Sequence, residues 1–155
     1  MIQRIQTLYL LAIVVLSGFV IFSPLVDLVN KADNLIYHVD FKGISLLQPT
    51  GNTIISRIWG LTSVSCVIPI LALITIFSYK NRLKQIRLSV INMFFMISFY
   101  IIMLLYLWPA CQQLHTDWHL RIVSIFHLLN LILSYLAIGS IGKDEKLVKS
   151  LDRLR

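Results

Sequence analysis

Charge is scarce in this sequence. Of its 155 residues only 14% are Asp, Glu, Lys or Arg, while 57% are hydrophobic, an apolar share beyond that of ordinary soluble domains. Cysteine is nearly absent. Cys66 and Cys111 form at most one pair, at different depths, too few for a disulfide framework or a paired-cysteine redox motif. The chain also lacks a phosphate-cradling glycine loop, a nucleophile beside a base, and facing carboxylates. These absences remove the usual grounds for an enzyme, so neither catalysis nor a cofactor is expected.

What is present is apolar length. Crossing a hydrocarbon core takes about 20 helical residues. The runs Ile5 to Phe22, Trp59 to Tyr79, Leu88 to Leu107 and Ile122 to Ile141 contain 18, 21, 20 and 20 residues, with no Lys, Arg, Asp or Glu in any of them. The expected fold is therefore all-α: one integral membrane domain over residues 1–155, built as an up-and-down bundle of four transmembrane helices. Arg4 ahead of the first run has the charge order of a secretory signal. The run exceeds the usual apolar region of about 7 to 15 residues, however, and Phe22-Ser23-Pro24-Leu25 lacks the small-residue pair that cleavage needs. An uncleaved first helix is expected.

The net charge of +7 calls for a nucleic acid only if the basic residues do not serve topology, and they do. Arg4, Lys80, Arg82, Lys84, Arg87, Lys143, Lys146, Lys149, Arg153 and Arg155 fall on one side of the four runs, ten of the fourteen basic residues. Lys31, Lys42, Arg57 and Arg121 fall on the other, among Asp27, Asp33, Asp40 and Asp117. The positive-inside rule places 1–4, 80–87 and 142–155 in the cytoplasm and 23–58 and 108–121 outside. In a bacterium this is an inner-membrane protein with both termini inside. Trp59, Tyr79, Trp108 and Trp118 at or just beyond the ends of the runs suit the headgroup layer.

In the long outer segment Val39, Phe41 and Gly43 alternate with His38, Asp40 and Lys42, the period of a half-buried strand. A short β-hairpin is expected, with turns at Gly43 or at Gln48-Pro49-Thr50-Gly51-Asn52. The short inner link makes the second and third helices antiparallel neighbours. Leu147, Leu151 and Leu154 recur at helical spacing in the charged tail, which predicts an amphipathic C-terminal helix lying on the membrane or docking a cytoplasmic partner.

Ser124, His127, Asn130 and Ser134 recur at steps of three and four in the fourth run, so they form one stripe that hydrocarbon should drive into the bundle. A relay through His127 would need a second titratable group at similar depth, and the four runs contain none. An interhelical hydrogen bond is the simpler role. Thr62, Ser63, Ser65, Cys66, Pro69, Ala72 and Thr75 give the second run the small and hydroxyl residues of a kinked packing helix, and Asn92, Gly139 and Gly142 read the same way. His115 and His119 stand four apart with Asp117 between them, but no Glu follows the first His as a zincin motif needs, and a third ligand would have to come from His38 or Asp40; no metal is expected.

The start Met1-Ile2-Gln3-Arg4-Ile5-Gln6-Thr7-Leu8-Tyr9-Leu10 and the ending Asp144-Glu145-Lys146-Leu147-Val148-Lys149-Ser150-Leu151-Asp152-Arg153-Leu154-Arg155 resemble a family of four-span membrane proteins from Bacteroidota, the domain of unknown function 4293. The resemblance carries no activity. It implies an inner-membrane location and marks the two termini as a candidate cytoplasmic contact surface: Gln3, Arg4, Gln6, Asp144, Glu145, Lys146, Asp152, Arg153 and Arg155, meeting one another or a partner.

The expected function is that of a non-catalytic accessory or structural subunit of a larger inner-membrane complex, in protein export or insertion or in envelope biogenesis. Its expected partners are membrane lipid and another membrane protein, with no small-molecule substrate. A small transporter or channel using the fourth-span stripe is the alternative, and a lipid-binding or membrane-bound enzyme ranks last for want of catalytic groups.

Overall fold

A computed structural model describes residues 3–30, 35–46, 53–79, 81–114 and 116–152, with side chains for 5–30, 35–46, 53–79, 81–114 and 116–145. Each apolar run becomes a helix: α1 Gln3–Phe22, α2 Trp59–Phe77, α3 Arg82–Leu114 and α4 Phe126–Asp152, the last preceded by a 3-10 turn, Ile122–Ile125. All four are long and apolar enough to cross a membrane. α1 packs on α2 and α4, and α3 packs on the same two. Each helix thus lies against its neighbours in sequence, and α4 returns to α1, the ring of an up-and-down bundle.

Helix ends follow local chemistry. Pro24, lacking an N–H, stops α1 from continuing beyond Ser23. Between α2 and α3 the Ser78 N–H bonds back to the Ile74 and Thr75 carbonyls, and the Asn81 carbonyl accepts the Gln85 N–H as α3 begins. α3 starts at Arg82, before its apolar run, and at 33 residues it is about 50 Å long. That is well over the hydrocarbon thickness. The tail expected to form a separate amphipathic helix continues α4 to Asp152; its side chains beyond Glu145 lie outside the described residues.

An all-α fold is wrong for this chain. The segments expected outside build a five-stranded antiparallel sheet, where a single hairpin was expected: β1 Val26–Asn30, β2 Leu35–Asp40, β3 Gly43–Leu46, β4 Thr53–Arg57 and β5 Asp117–Leu120, in the order β4-β3-β2-β1-β5. The predicted alternation around Val39 is real, but the strand ends at Asp40 because Phe41 and Lys42 form the turn into β3. The proposed turn at 48–52 lies outside the described residues. β5 comes from the second outer segment and pairs with β1, Asp27 facing His119 and Leu28 facing Trp118.

One face of the sheet caps the bundle. Val26, Leu28, Tyr37, Val39 and Ile44 are buried in the same apolar cluster as Leu10, Ile68 and Phe99 of the helices. Polar seams fix the cap: Thr62 Oγ1 donates to the Phe41 carbonyl (2.6 Å), and Asn30 Nδ2 donates to the Leu114 carbonyl at the end of α3 (3.2 Å). Leu25 ties three parts together. Its N–H donates to Val39, and its carbonyl accepts from the Arg121 N–H and the Ser124 hydroxyl.

Gly43 opens β3 at φ +147°, and a Cβ there would lie 2.0 Å from the Ser56 carbonyl oxygen of β4. Gly43→Ala is expected to cost about 1–3 kcal/mol and lower the thermal unfolding midpoint in detergent. Gly18→Ala, where a Cβ meets nothing within 4 Å, should be neutral or raise it.

Candidate functional site

The buried positions of the helices repeat at alternating steps of three and four. They include Gln6, Leu10, Ile13, Ser17 and Val20 in α1, and Gln85, Ser89, Asn92, Met96 and Phe99 in α3. This is the 3.5-residue period of helices packed side by side in a left-handed bundle. Leu8, Phe19, Phe94, Leu104, Ile132 and Tyr135 are exposed on the outside. An apolar outer surface on the helices suits hydrocarbon as the solvent.

Ser124, His127, Asn130 and Ser134 are all buried and face the bundle. Asn130 Nδ2 donates to Ser17 Oγ on α1 (3.1 Å) and lies 3.4 Å from His127 Nδ1. With the amide as donor, Nδ1 is the acceptor and the ring hydrogen belongs on Nε2. The Phe99 ring meets the imidazole edge to face at 4.3 Å, and Ser134 Oγ reaches Met96 Sδ at 3.9 Å. The stripe therefore stitches α4 to α1 and α3. Among the described residues, His127 Nε2 and the Oδ1 atoms of Asn130 and Asn92 have no hydrogen-bond partner. In α2, Thr75 donates to Leu71 within the helix that carries Pro69, while Ser65 Oγ is buried without a partner among the described residues.

A second constellation closes the end of the bundle opposite the sheet. Gln6 Nε2 donates to Asp144 Oδ2 (2.5 Å), and Arg82 Nη1 stands 3.9 Å from the same oxygen. Gln6 and Asp144 are both buried. Two members of the candidate contact surface thus meet each other inside the bundle. The side chains of Gln3, Arg4, Lys146, Asp152, Arg153 and Arg155 lie outside the described residues. Arg82 was missed from sequence, where it reads as one more orientation charge.

The third constellation lies on the outward face of the sheet and was also missed. Asp27 accepts from Arg121 Nε (2.7 Å) and pairs with His38 Nδ1 (2.7 Å), joining β1, β2 and the segment after β5. No group of three or more His, Cys, Asp or Glu side chains able to hold a metal exists among the described residues. His115 lies outside them, and His119 sits on a strand rather than a helix.

With this geometry in place, the family described as domain of unknown function (DUF4293) matches residues 2–154. The chain belongs to that family. No curated protein matches it. The match spans both the helices and the sheet, so the capped four-helix unit as a whole is the DUF4293 domain of this chain.

Two measurements probe these contacts. Ser17→Ala and Asn130→Ala are each expected to lower unfolding free energy by about 1 kcal/mol, and the double variant by less than the sum, with a coupling of about 0.6 kcal/mol. A double-mutant cycle by chemical unfolding in detergent reads this directly. On the sheet, burial lifts the Asp40 carboxyl above its ordinary range despite the opposing pull of His38, Lys42 and Arg121. The folded state therefore favours the protonated form. Ionised Asp40 costs stability at neutral pH, and that cost fades as pH falls through the folded pKa toward the unfolded one. Asp40→Asn should raise the unfolding temperature at pH 7 and leave it nearly unchanged at about pH 3.

Proposed function

We propose that this chain is a non-catalytic accessory subunit of a larger inner-membrane assembly, lying with both termini in the cytoplasm and docking its partner along the β4 edge of its outer sheet. The orientation rests on the ten basic residues of one side against four on the other. The resemblance carried by the two termini adds a Bacteroidota origin. Export, insertion and envelope-biogenesis machinery are the candidate hosts.

The β4 edge carries the proposal. All five residues Thr53–Arg57 are exposed, whereas β3 beside them is largely buried. The β3–β4 register shifts at Ile55, which has no partner residue on β3, and Ile54 and Ile55 are 48% and 53% exposed. An apolar, β-branched edge strand invites another strand to pair with it.

A second reading, a small transporter or channel, draws on the buried stripe with its unpaired His127 and Asn130 atoms. Two closures weigh against it. Gln6, Asp144 and Arg82 shut the inner end, and Ser124 with Leu25 shuts the outer one.

A photo-crosslinking residue in place of Thr53, activated in native membranes, is expected to give one discrete adduct with another membrane protein. That protein should co-purify in mild detergent and be lost from the Ile54→Lys, Ile55→Lys double variant. The proposal fails if the adduct is lipid alone, or if the chain runs by itself or as a plain homo-oligomer after gentle solubilisation.

A further inference from the structure

At the inner end, α1 and the α2–α3 turn enclose a cleft of about 480 Å³. Its two walls differ in chemistry. Gln6, Tyr79, Arg82 and Gln85 form a polar wall with one guanidinium, and Leu8 and Leu11 form an apolar one.

The polar wall is suited to an anion. Arg82 is the first residue of α3, where backbone N–H groups lack intrahelical carbonyls and the helix dipole is positive. No acidic residue occupies that first turn. Gln85 is only 5% exposed, lines the cleft, and has no side-chain hydrogen-bond partner among the described residues; its amide is a donor held ready. Asp144, 3.9 Å from Arg82, offsets part of the positive charge, but its Oδ2 is already engaged by Gln6. Lys84, exposed two residues on, keeps the surroundings positive.

The apolar wall decides what kind of anion. Leu8 and Leu11 are exposed on α1, one turn apart, leading from the cleft toward the middle of the span. A free phosphate would leave them unused, and a peptide carboxylate would have no reason to follow them into hydrocarbon. An amphiphile uses both walls.

We propose that this cleft binds an anionic phospholipid of the adjoining leaflet. Arg82, with Gln85 and Tyr79, donates to the headgroup phosphate, and an acyl chain lies along Leu8 and Leu11. The site depends on the chain spanning a membrane and is independent of any docking at β4, which lies at the opposite end of the bundle.

The full chain, purified in mild detergent, is offered phosphatidylglycerol or phosphatidylcholine of matched acyl chains, and retained lipid is counted by native mass spectrometry. Wild type and the neighbouring-turn control Arg87→Gln are expected to retain phosphatidylglycerol about ten-fold better than phosphatidylcholine, the size of one charge-assisted hydrogen bond. Arg82→Gln should lose that preference. Leu11→Trp, at an exposed position whose larger side chain fills the cleft, should lower retention of phosphatidylglycerol while leaving Arg82 in place, so the proposal stays testable if Arg82→Gln does not fold. Equal retention of the two lipids by wild type overturns the proposal, as does full retention by both Arg82→Gln and Leu11→Trp. Displacement of phosphatidylglycerol by millimolar inorganic phosphate would assign the cleft to a free anion and overturn it equally.

Discussion

A polar side chain in a spanning helix escapes hydrocarbon in one of two ways, by turning into the bundle or by reaching a headgroup layer. The inward turn dictates the packing here. Ser17, Ser65, Asn92, Asn130 and Ser134 all occupy buried positions, and because they recur at the coiled-coil period, each one also fixes which face of its helix meets the others. Between apolar helices in lipid, burial of apolar area gives no register, since tails and side chains are alike to water's exclusion. The Asn130 bond to Ser17, from α4 to α1, supplies the register that burial does not.

The sheet follows from the same constraint applied to the connections. A segment leaving α1 must satisfy its backbone hydrogen bonds near the membrane surface and cover the apolar tips of the helices, and an antiparallel sheet with alternating faces does both. Its inward residues continue the helical core, while Asp27, His38 and Arg121 hold the outward face together. β5 is recruited because α3 runs on past its apolar stretch to Leu114. That overrun brings residues 117–120 to the β1 edge, where the Arg121–Asp27 pair and the Asn30 bond to Leu114 fasten them.

What was legible in the sequence was whatever depends on solvent. The four helices are spelled by run length, and the inward stripe of α4 by its steps of three and four. The sheet was legible only at Val39, because strands of four to six residues give too few repeats for a period of two to stand out. β5 was invisible for a different reason. Asp117-Trp118-His119-Leu120 alternates for only four residues, and its partner Val26–Asn30 lies in the other outer segment. The Gln6–Asp144–Arg82 contact was half readable: the termini were marked, but nothing in the spacing selects Arg82 from Lys80, Lys84 and Arg87. Only its place as the first residue of α3 aims it at Asp144.

These contacts also bear on whether the bundle moves. A rocking transporter needs ends that exchange partners as its halves tilt. In this chain α1 is tied to α4 at the end away from the sheet through Gln6 and Asp144, and at the sheet end through the Leu25 carbonyl, which accepts from both Arg121 and Ser124. α3 is tied to the 3-10 turn through Tyr100 and the Ser124 carbonyl, and to the sheet through Leu114 and Asn30. Tilting one pair of helices against the other would have to break bonds at both ends together, and the sheet spans the helices it would have to part. A bundle clamped in this way is suited to presenting a fixed surface, which is the property that docking at β4 requires and alternating access does not.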